Sequence, residues 1–329
     1  MDAANYTPQL TPRLKKRKFN RIFIIVFAIS LFFLQGRSQT FASPADAVST
    51  PPTTLDNLTS YLTVPNDTPN PLIYAKSYLL MESETTEVII GKNFDLSVPI
   101  ASTTKMATAL LARQLYSLDE VVTVKRFTAG IGGSTIGLVY QEKVTVGDLL
   151  KGLLIQSGND AAFALAQHYS NQKDDYQSFV AKMNEFVKEH GLNNTVFGDP
   201  AGLDDEIGRS TALDLAHLAR LLLNDPVLAD IVKTNETTIY STNRLLSHDL
   251  ISSNRLLDSS SPYYLPRAIG VKTGFTLDAG HCLVSAYQSK HGLLIGVVLN
   301  TIEFTTTASA AESQKLHRWA DYYVENKVY

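Results

Sequence analysis

The sequence of 329 residues predicts an α+β fold, in which an antiparallel sheet is flanked by helices and carries an inserted all-helical subdomain. Two observations predict this arrangement. Apolar segments rich in β-branched and aromatic residues occur near residue 75 and again after residue 268. Between about residues 102 and 223, apolar side chains instead recur at helical spacing. The late strands can therefore rejoin the early ones in one sheet, with the helices inserted between them.

The individual elements follow from these patterns. Ala75–Met81 and Glu87–Ile90 form a hairpin around the polar residues 83–86. Helical spacing predicts one helix from Ser102 and four more at Val146–Ile155, Ala161–Tyr169, Phe179–His190 and Ala212–Leu223. Gly191 is placed to end the fourth of these, because glycine readily adopts the left-handed backbone found after many helices. The late strands are Ala268–Lys272, Cys282–Gln288 and Leu293–Asn300, and Thr307–Tyr323 forms a closing helix.

Residues 1–42 are predicted to be a signal peptide or a signal-anchor. A basic cluster from Arg13 to Arg21 precedes Ile22–Leu34, thirteen residues of which one is polar. This run is short for a membrane-spanning helix, which needs about 20 residues, and it fits the apolar region of a cleaved signal. An uncleaved anchor is the alternative. Either way, the positive charge holds the N-terminus in the cytoplasm, so the rest is expected outside, secreted or tethered to the outer face of the cytoplasmic membrane.

Residues 43–71 are predicted to be an extracytoplasmic linker in front of a folded domain at residues 72–329. Pro, Ser, Thr, Asp and Asn make up 21 of these 29 residues, with no Lys, Arg or Gly. Such a composition cannot bury a core and favours an extended spacer. The linker would therefore hold the folded domain away from the membrane.

Charge and cysteine content exclude several classes of function. Residues 1–47 hold seven of the 29 basic residues and two of the 32 acidic ones, so the remainder carries 22 basic against 30 acidic residues. An acidic body disfavours nucleic acid as a partner, because phosphate binding needs a basic face. The single cysteine, Cys282, excludes an internal disulfide and a cysteine-rich metal site.

The first motif that could take part in catalysis is Ser102-Thr103-Thr104-Lys105, at the start of a predicted helix. A serine hydroxyl is a poor nucleophile unless a base removes its proton. Positions i and i+3 of a helix are neighbours, so the Lys105 amine can reach the Ser102 oxygen. The backbone N–H groups of a helix N-terminus also suit an oxyanion. A serine N-cap with a surface lysine would give the same four residues.

The second motif, Ser157-Gly158-Asn159, lies between two apolar helices. Its hydroxyl and side-chain amide could relay a proton and hold a substrate amide. Serine, glycine and asparagine are also ordinary turn residues, so a simple turn with a helix cap accounts for the motif equally well.

The third motif, Lys272-Thr273-Gly274, is predicted at the end of the Ala268–Lys272 strand. Lys272 would offer a fixed positive charge to a substrate carboxylate, and Thr273 a hydroxyl. Gly274 would allow a substrate backbone to approach the strand edge, and a peptide can bind there as an added strand. A strand entering a turn is the alternative interpretation.

Taken together, the three motifs are far more specific than any one of them. They are separated by 55 residues from Ser102 to Ser157 and by 115 from Ser157 to Lys272, and related elements mark penicillin-binding proteins and class A β-lactamases. The sequence resembles the low-molecular-mass penicillin-binding proteins of the D-alanyl-D-alanine carboxypeptidase family, serine peptidases of the S11 type. The similarity runs from about Tyr74 to the C-terminus, through Pro99–Ala109, Gly147–Leu150, Ser157–Ala162, Asn194–Phe197, Gly202–Asp204, Ser210–Asp214 and Gly270–Val284.

This resemblance implies a penicillin-binding/β-lactamase-like transpeptidase fold and a catalytic domain at residues 72–329. It implies that a peptidoglycan stem peptide ending in D-Ala-D-Ala acylates a serine and loses its terminal D-Ala, that β-lactams inhibit covalently, and that no metal or organic cofactor is needed. By this resemblance, Ser102 is the nucleophile and Lys105 its general base, while Ser157 and Asn159 assist proton transfer and contact the substrate. Lys272 and Thr273, beside Gly274, would bind the terminal carboxylate. The backbone N–H groups of Ser102 and Phe275 would form the oxyanion hole. Lys105 must be neutral to act, and we expect burial and the charge of Lys272 to lower its pKa.

Three alternatives remain beside this interpretation. A D,D-endopeptidase of the same family would use the same residues on a cross-link. A serine β-lactamase would need a deacylating base, and Glu189-His190-Gly191-Leu192-Asn193 has the required pattern, although it lies at the predicted helix end. A non-catalytic wall-binding module would be expected to lack a catalytic residue.

The sequence departs from the family pattern at one position that bears on substrate preference, because many family members carry histidine where Phe275 stands.

Overall fold

The computed structural model describes residues 69–170, 175–290, 292–301, 303 and 305–325. The predicted signal or anchor at residues 1–42 lies outside the described residues, as does nearly all of the predicted linker. Within the described part of the chain, no helix is long and apolar enough to cross a membrane.

Nine strands and eight α-helices make up this part of the chain. The strands are β1 Ala75–Glu82, β2 Val88–Lys92, β3 Val121–Thr123, β4 Lys143–Thr145, β5 Glu236–Tyr240, β6 Ser247–Ile251, β7 Ala268–Thr276, β8 Gly280–Ser289 and β9 Gly292–Thr301. The helices are α1 Lys105–Leu115, α2 Arg126–Ala129, α3 Val146–Leu154, α4 Asn159–Tyr169, α5 Gln177–Glu189, α6 Ala212–Asn224, α7 Pro226–Val232 and α8 Ala308–Glu325.

The main sheet is antiparallel and has the strand order β2-β1-β9-β8-β7. The late strands therefore rejoin the early hairpin through the β1–β9 pairing, as the sequence predicts. Two small hairpins, β3–β4 and β5–β6, were not predicted, because three to five residues carry too little alternation to stand out. The order leaves β7 at one end of the sheet.

The two faces of the sheet bury separate cores. Adjacent residues of a strand point to opposite faces, so Leu79 joins the large core shared with the inserted helices, whereas Leu80 joins the smaller core under α8. Trp319 of α8 packs in that smaller core. Complete burial of a leucine side chain contributes about 1.5–3 kcal/mol, which fixes the strand register.

The helical subdomain is built around α1, which packs against α3, α4, α5 and α6. Threonine side chains cap two of these helices: Thr145 Oγ1 accepts from the N–H of Asp148, and Thr211 Oγ1 accepts from that of Asp214. As predicted, Gly191 follows α5 with a left-handed backbone (φ +74°). Helix α7 was not predicted; Pro226 begins this helix, with Asp225 as its cap.

Candidate active site

Ser102 lies on a 3-10 turn, Ala101–Thr104, immediately before α1. The helix was predicted to start at Ser102, but the α-helix itself begins at Lys105. The predicted contact is nevertheless present: Lys105 Nζ lies 2.8 Å from Ser102 Oγ. Ala101 has a left-handed backbone (φ +48°), which is unfavourable for a residue with a Cβ. Strained backbone of this kind is typical of functional turns.

Lys105 is completely buried, and its amine is surrounded by oxygen atoms. Besides Ser102, it donates to Asn159 Oδ1 at 2.8 Å and to the carbonyl of Ala201 at 2.7 Å. Burial lowers the pKa of Lys105 to about 7, although the negative charges of Asp199 and Asp160 act in the opposite direction. A large fraction of this amine is therefore neutral at pH 7, and a neutral amine has a lone pair for the Ser102 proton.

Ser157 and Asn159 lie where α3 passes into α4, on the other side of Lys105. Ser157 is buried and has a left-handed backbone (φ +66°). The Asn159 side chain accepts from Lys105 and donates to the carbonyl of Gly132 at 2.9 Å. Gly133 approaches the same amide so closely that an added Cβ would lie 2.8 Å from Asn159 Nδ2. These contacts orient the Asn159 oxygen toward the lysine.

Lys272, Thr273 and Gly274 lie within β7, not at its end as predicted, because the strand continues to Thr276. Lys272 is buried and donates to the carbonyl of Thr273 at 2.9 Å. Burial and the nearby charge of Lys105 lower the pKa of Lys272 well below its usual value. The Thr273 hydroxyl is hydrogen-bonded to that of Ser253.

The structure shows one reason for glycine at position 274. An added Cβ would lie 3.1 Å from the Ile100 carbonyl oxygen and 3.1 Å from the Ser102 nitrogen. Gly274 thus allows β7 to pack closely against the serine turn, and its predicted role beside a substrate stays a prediction. This packing brings β7, which also carries Phe275, against the serine turn.

These motifs meet in one pocket, as the sequence analysis required. Ser102, Ser157, Thr273, Gly274 and Phe275 all line it. Nine further lining residues lie outside the three motifs, among them Ser134, Ser253, Arg255 and His281. The Phe275 ring is half exposed and stacks on the His281 ring of β8, with the ring centroids 4.3 Å apart.

Three other kinds of chemistry were considered for this pocket: a metal ion, a thiol nucleophile and a glutamate base. Within the described residues, no cluster of three or more His, Cys, Asp or Glu could hold a metal ion. Cys282 is buried, which raises its pKa to about 12 and makes it a poor nucleophile. Glu189 is exposed at the end of α5 and does not line the pocket. Ser102 and Lys105 thus place a hydroxyl and a buried amine 2.8 Å apart at this pocket.

A family model described as D-alanyl-D-alanine carboxypeptidase, peptidase family S11, matches residues 65–303. The chain belongs to the S11 family. It is 35% identical over 229 residues to D-alanyl-D-alanine carboxypeptidase DacF of Bacillus subtilis, covering 68% of this chain and 57% of that protein. It is 31% identical over 247 residues to a D-alanyl-D-alanine endopeptidase of Pseudomonas aeruginosa, covering 74% of this chain and 76% of that protein.

The fold is similar to that of a solved S11-family relative. The crystal structure of the Streptomyces K15 DD-transpeptidase superposes with a TM-score of 0.70 at 30% identity, covering 76% of this chain and 98% of that chain. The α+β fold is thereby confirmed. The chain spans about three-fifths of the length of the first curated relatives, between 57% and 63%.

Two carboxylates that organise this S11 site, Asp199 and Asp160, lie outside the three sequence motifs. Asp199 accepts from the N–H groups of Ala201, Gly202 and Leu203 at 2.6–3.0 Å, which holds the loop whose carbonyl binds Lys105. Burial raises the pKa of Asp199, although these bonds act against that shift. Asp160, directly after the second motif, accepts from four backbone N–H groups: Ile136, Gly137, Leu138 and Ala161. The backbone N–H groups that these carboxylates bind are brought to them by the tertiary fold, so they could not be predicted from the sequence.

We expect Asp160→Ala to destabilise the domain by about 3 kcal/mol or more, because it leaves several buried N–H groups without an acceptor, at about 1–3 kcal/mol each. The measurement is the free energy of unfolding in urea. The control is Asp148→Ala, whose carboxylate pairs with Lys151 at 2.8 Å on the surface of α3, an interaction worth only a few tenths of a kcal/mol. Equal losses in the two variants would contradict this role for Asp160.

Proposed function

We propose that the protein is an exported serine D-Ala-D-Ala carboxypeptidase that trims peptidoglycan stem peptides. The observation that carries this proposal is the 2.8 Å contact between Ser102 Oγ and the buried Lys105 amine, whose pKa of about 7 suits a general base. The family description and the named relatives support the same activity.

In the proposed reaction, neutral Lys105 takes the Ser102 proton as Ser102 Oγ attacks the carbonyl carbon of the penultimate D-Ala. The oxygen of the tetrahedral intermediate is held by the backbone N–H groups of Ser102 and Phe275. The intermediate collapses with cleavage of the peptide bond, and the amine of the terminal D-Ala leaves with a proton delivered from Lys105 through Ser157. Water then hydrolyses the ester on Ser102, regenerating the hydroxyl.

Substrate orientation is proposed to come from β7. Its position at the end of the sheet lets an extended peptide pair with it as an additional strand. The terminal carboxylate would bind Lys272 and Thr273, and its charge would raise the lowered pKa of Lys272 by favouring the ammonium form. Arg255 supplies a guanidinium group at the same pocket. β-Lactams would occupy this site as covalent inhibitors.

A D,D-endopeptidase is the second candidate, supported by the Pseudomonas aeruginosa relative. Its substrate would differ only in carrying a second peptide beyond the scissile bond. A β-lactamase has less support, because Glu189 is remote from the lining of the pocket. The location proposed is extracytoplasmic, with membrane attachment, if the apolar run stays uncleaved, through residues 22–34.

The proposed function is tested by the intact mass of the protein after incubation with penicillin, and by the products formed from a pentapeptide ending in D-Ala-D-Ala. We expect a long-lived single penicillin adduct and the release of one alanine. An adduct with an untouched pentapeptide would favour the endopeptidase. Rapid penicillin turnover without peptide cleavage would indicate a β-lactamase, and no adduct at all would overturn the assignment.

A further inference from the structure

A second depression lies beside the active site, between two segments of the helical subdomain. One wall is Val139–Lys143, which leads into β4, and the other is Ser241–Leu246, which joins β5 to β6. We call this depression the hairpin groove. The walls are tied together by a hydrogen bond from the Thr242 N–H to the Lys143 carbonyl at 2.8 Å.

A buried hydrogen bond holds the groove in shape. His248 Nε2 of β6 lies 2.7 Å from Glu142 Oε1, and the two side chains are 8% and 0% exposed. The second Glu142 oxygen accepts from the Val139 N–H at 3.0 Å. Because both walls are fixed to each other, the hairpin groove exists before any ligand arrives, which lowers the entropic cost of binding.

The hairpin groove and the catalytic pocket are lined by the same two segments of the chain. Gly133 and Ser134 line the pocket, and the same segment runs on to Val139. Ser253 lines the opposite side of the pocket, two residues after β6 ends at Ile251. The segment that forms each wall of the hairpin groove therefore also contributes residues to the catalytic pocket.

The lining of the hairpin groove combines apolar surface with amide groups. Tyr140 is 48% exposed and Leu245 is 80% exposed, while Gln141 and Asn243 add exposed amide side chains. The Arg126 guanidinium lies over the Tyr140 ring, 4.6 Å from its centroid, which steadies the ring. Aromatic faces pack against the C–H faces of sugars, and amides match their hydroxyl and acetamido groups.

The distance between the two sites also fits one substrate. A fully extended pentapeptide reaches about 17 Å, and the five residues of β6, which separate the pocket from the hairpin groove, cover about 17 Å at strand rise. A stem peptide with its C-terminus at Ser102 would thus place its other end, which is attached to the glycan, at the hairpin groove.

We propose that the hairpin groove binds the glycan strand of peptidoglycan, a polymer of N-acylated amino sugars, while the attached stem peptide occupies the catalytic pocket. This inference rests on the proposed function for its substrate. It predicts that the protein acts better on peptides still attached to glycan than on free peptides, and that the difference comes from Tyr140 and Leu245.

The test compares kcat/KM on un-cross-linked pentapeptide-bearing glycan strands with kcat/KM on the free pentapeptide. We expect Tyr140→Ser and Leu245→Ser each to lower the value for the strands by about tenfold, the size of a lost aromatic or apolar contact, without changing the value for the free peptide. Tyr322→Ser, which removes a 65% exposed tyrosine from α8, is the matched control. Equal effects on both substrates, or no effect on either, would overturn the inference.

A second measurement separates this inference from the proposed function. Glycan strands stripped of their peptides are titrated into the wild-type protein and the Tyr140→Ser variant by calorimetry, which requires no turnover. If the wild type binds the strands and the variant does not, the result supports glycan binding in the hairpin groove, even if no D-Ala is ever released. Release of D-Ala without any glycan binding overturns the hairpin groove and leaves the carboxypeptidase proposal standing.

Discussion

Replacing Ser102 with alanine is expected to abolish the covalent penicillin adduct and to lower kcat on a D-Ala-D-Ala peptide by about 10⁶-fold, the usual cost of losing a nucleophile. The reason is that no other hydroxyl of the pocket is bonded to the buried Lys105 amine, which contacts Ser102, Asn159 and Ala201. The measurements are the intact mass after incubation with penicillin and the release of D-Ala.

The fold should survive this change. The Ser102 hydroxyl makes one hydrogen bond that the structure records, to Lys105, so its loss should cost about 1 kcal/mol in the free energy of unfolding. Ser134→Ala is the matched control, because Ser134 lines the same pocket and its hydroxyl donates to the Gln156 carbonyl. We expect this control to keep forming the adduct. A stable adduct on Ser102→Ala would show that the nucleophile is another residue.

The fold could be predicted largely from periodicity. Long segments such as α5 and β9 carry enough apolar repeats to reveal their type, and the position of strands at both ends of the domain indicated one sheet. Short elements could not be found in this way. The three residues of β3 pair with β4 because the fold brings them together, and Asp225 caps α7 where the sequence suggested only the end of α6.

The site was predictable where neighbours in the sequence are neighbours in space. The contact of Lys105 with Ser102 follows from a separation of three residues. Arg255, Ser253 and His281 reach the pocket through the tertiary fold, and no local pattern marks them. The burial of Lys272 beside Lys105 could not be predicted for a related reason, since it depends on how β7 packs against the serine turn.

The second large effect is expected at Lys105, where the rate of acylation by penicillin should depend on pH. Burial lowers the pKa of Lys105 to about 7, and only its neutral form can accept the Ser102 proton. Below that pKa, the neutral fraction falls about tenfold for each pH unit. The second-order rate of acylation by penicillin should therefore rise with unit slope up to about pH 7 and then level off, as measured by stopped-flow or quenched mass spectrometry.

Lys105→Arg provides the decisive variant, because a guanidinium keeps its charge at every pH that the protein tolerates. We expect acylation to slow by about 10²–10⁴-fold, the usual contribution of a general base, and the rise with pH centred near 7 to disappear. The control is Lys182→Arg at an exposed position of α5, which should retain the rate and the pH profile of the wild type. A purely structural role for Lys105 predicts a different result: a lower rate with the same rise near pH 7. Persistence of that rise in the arginine variant would therefore assign the proton transfer to another group.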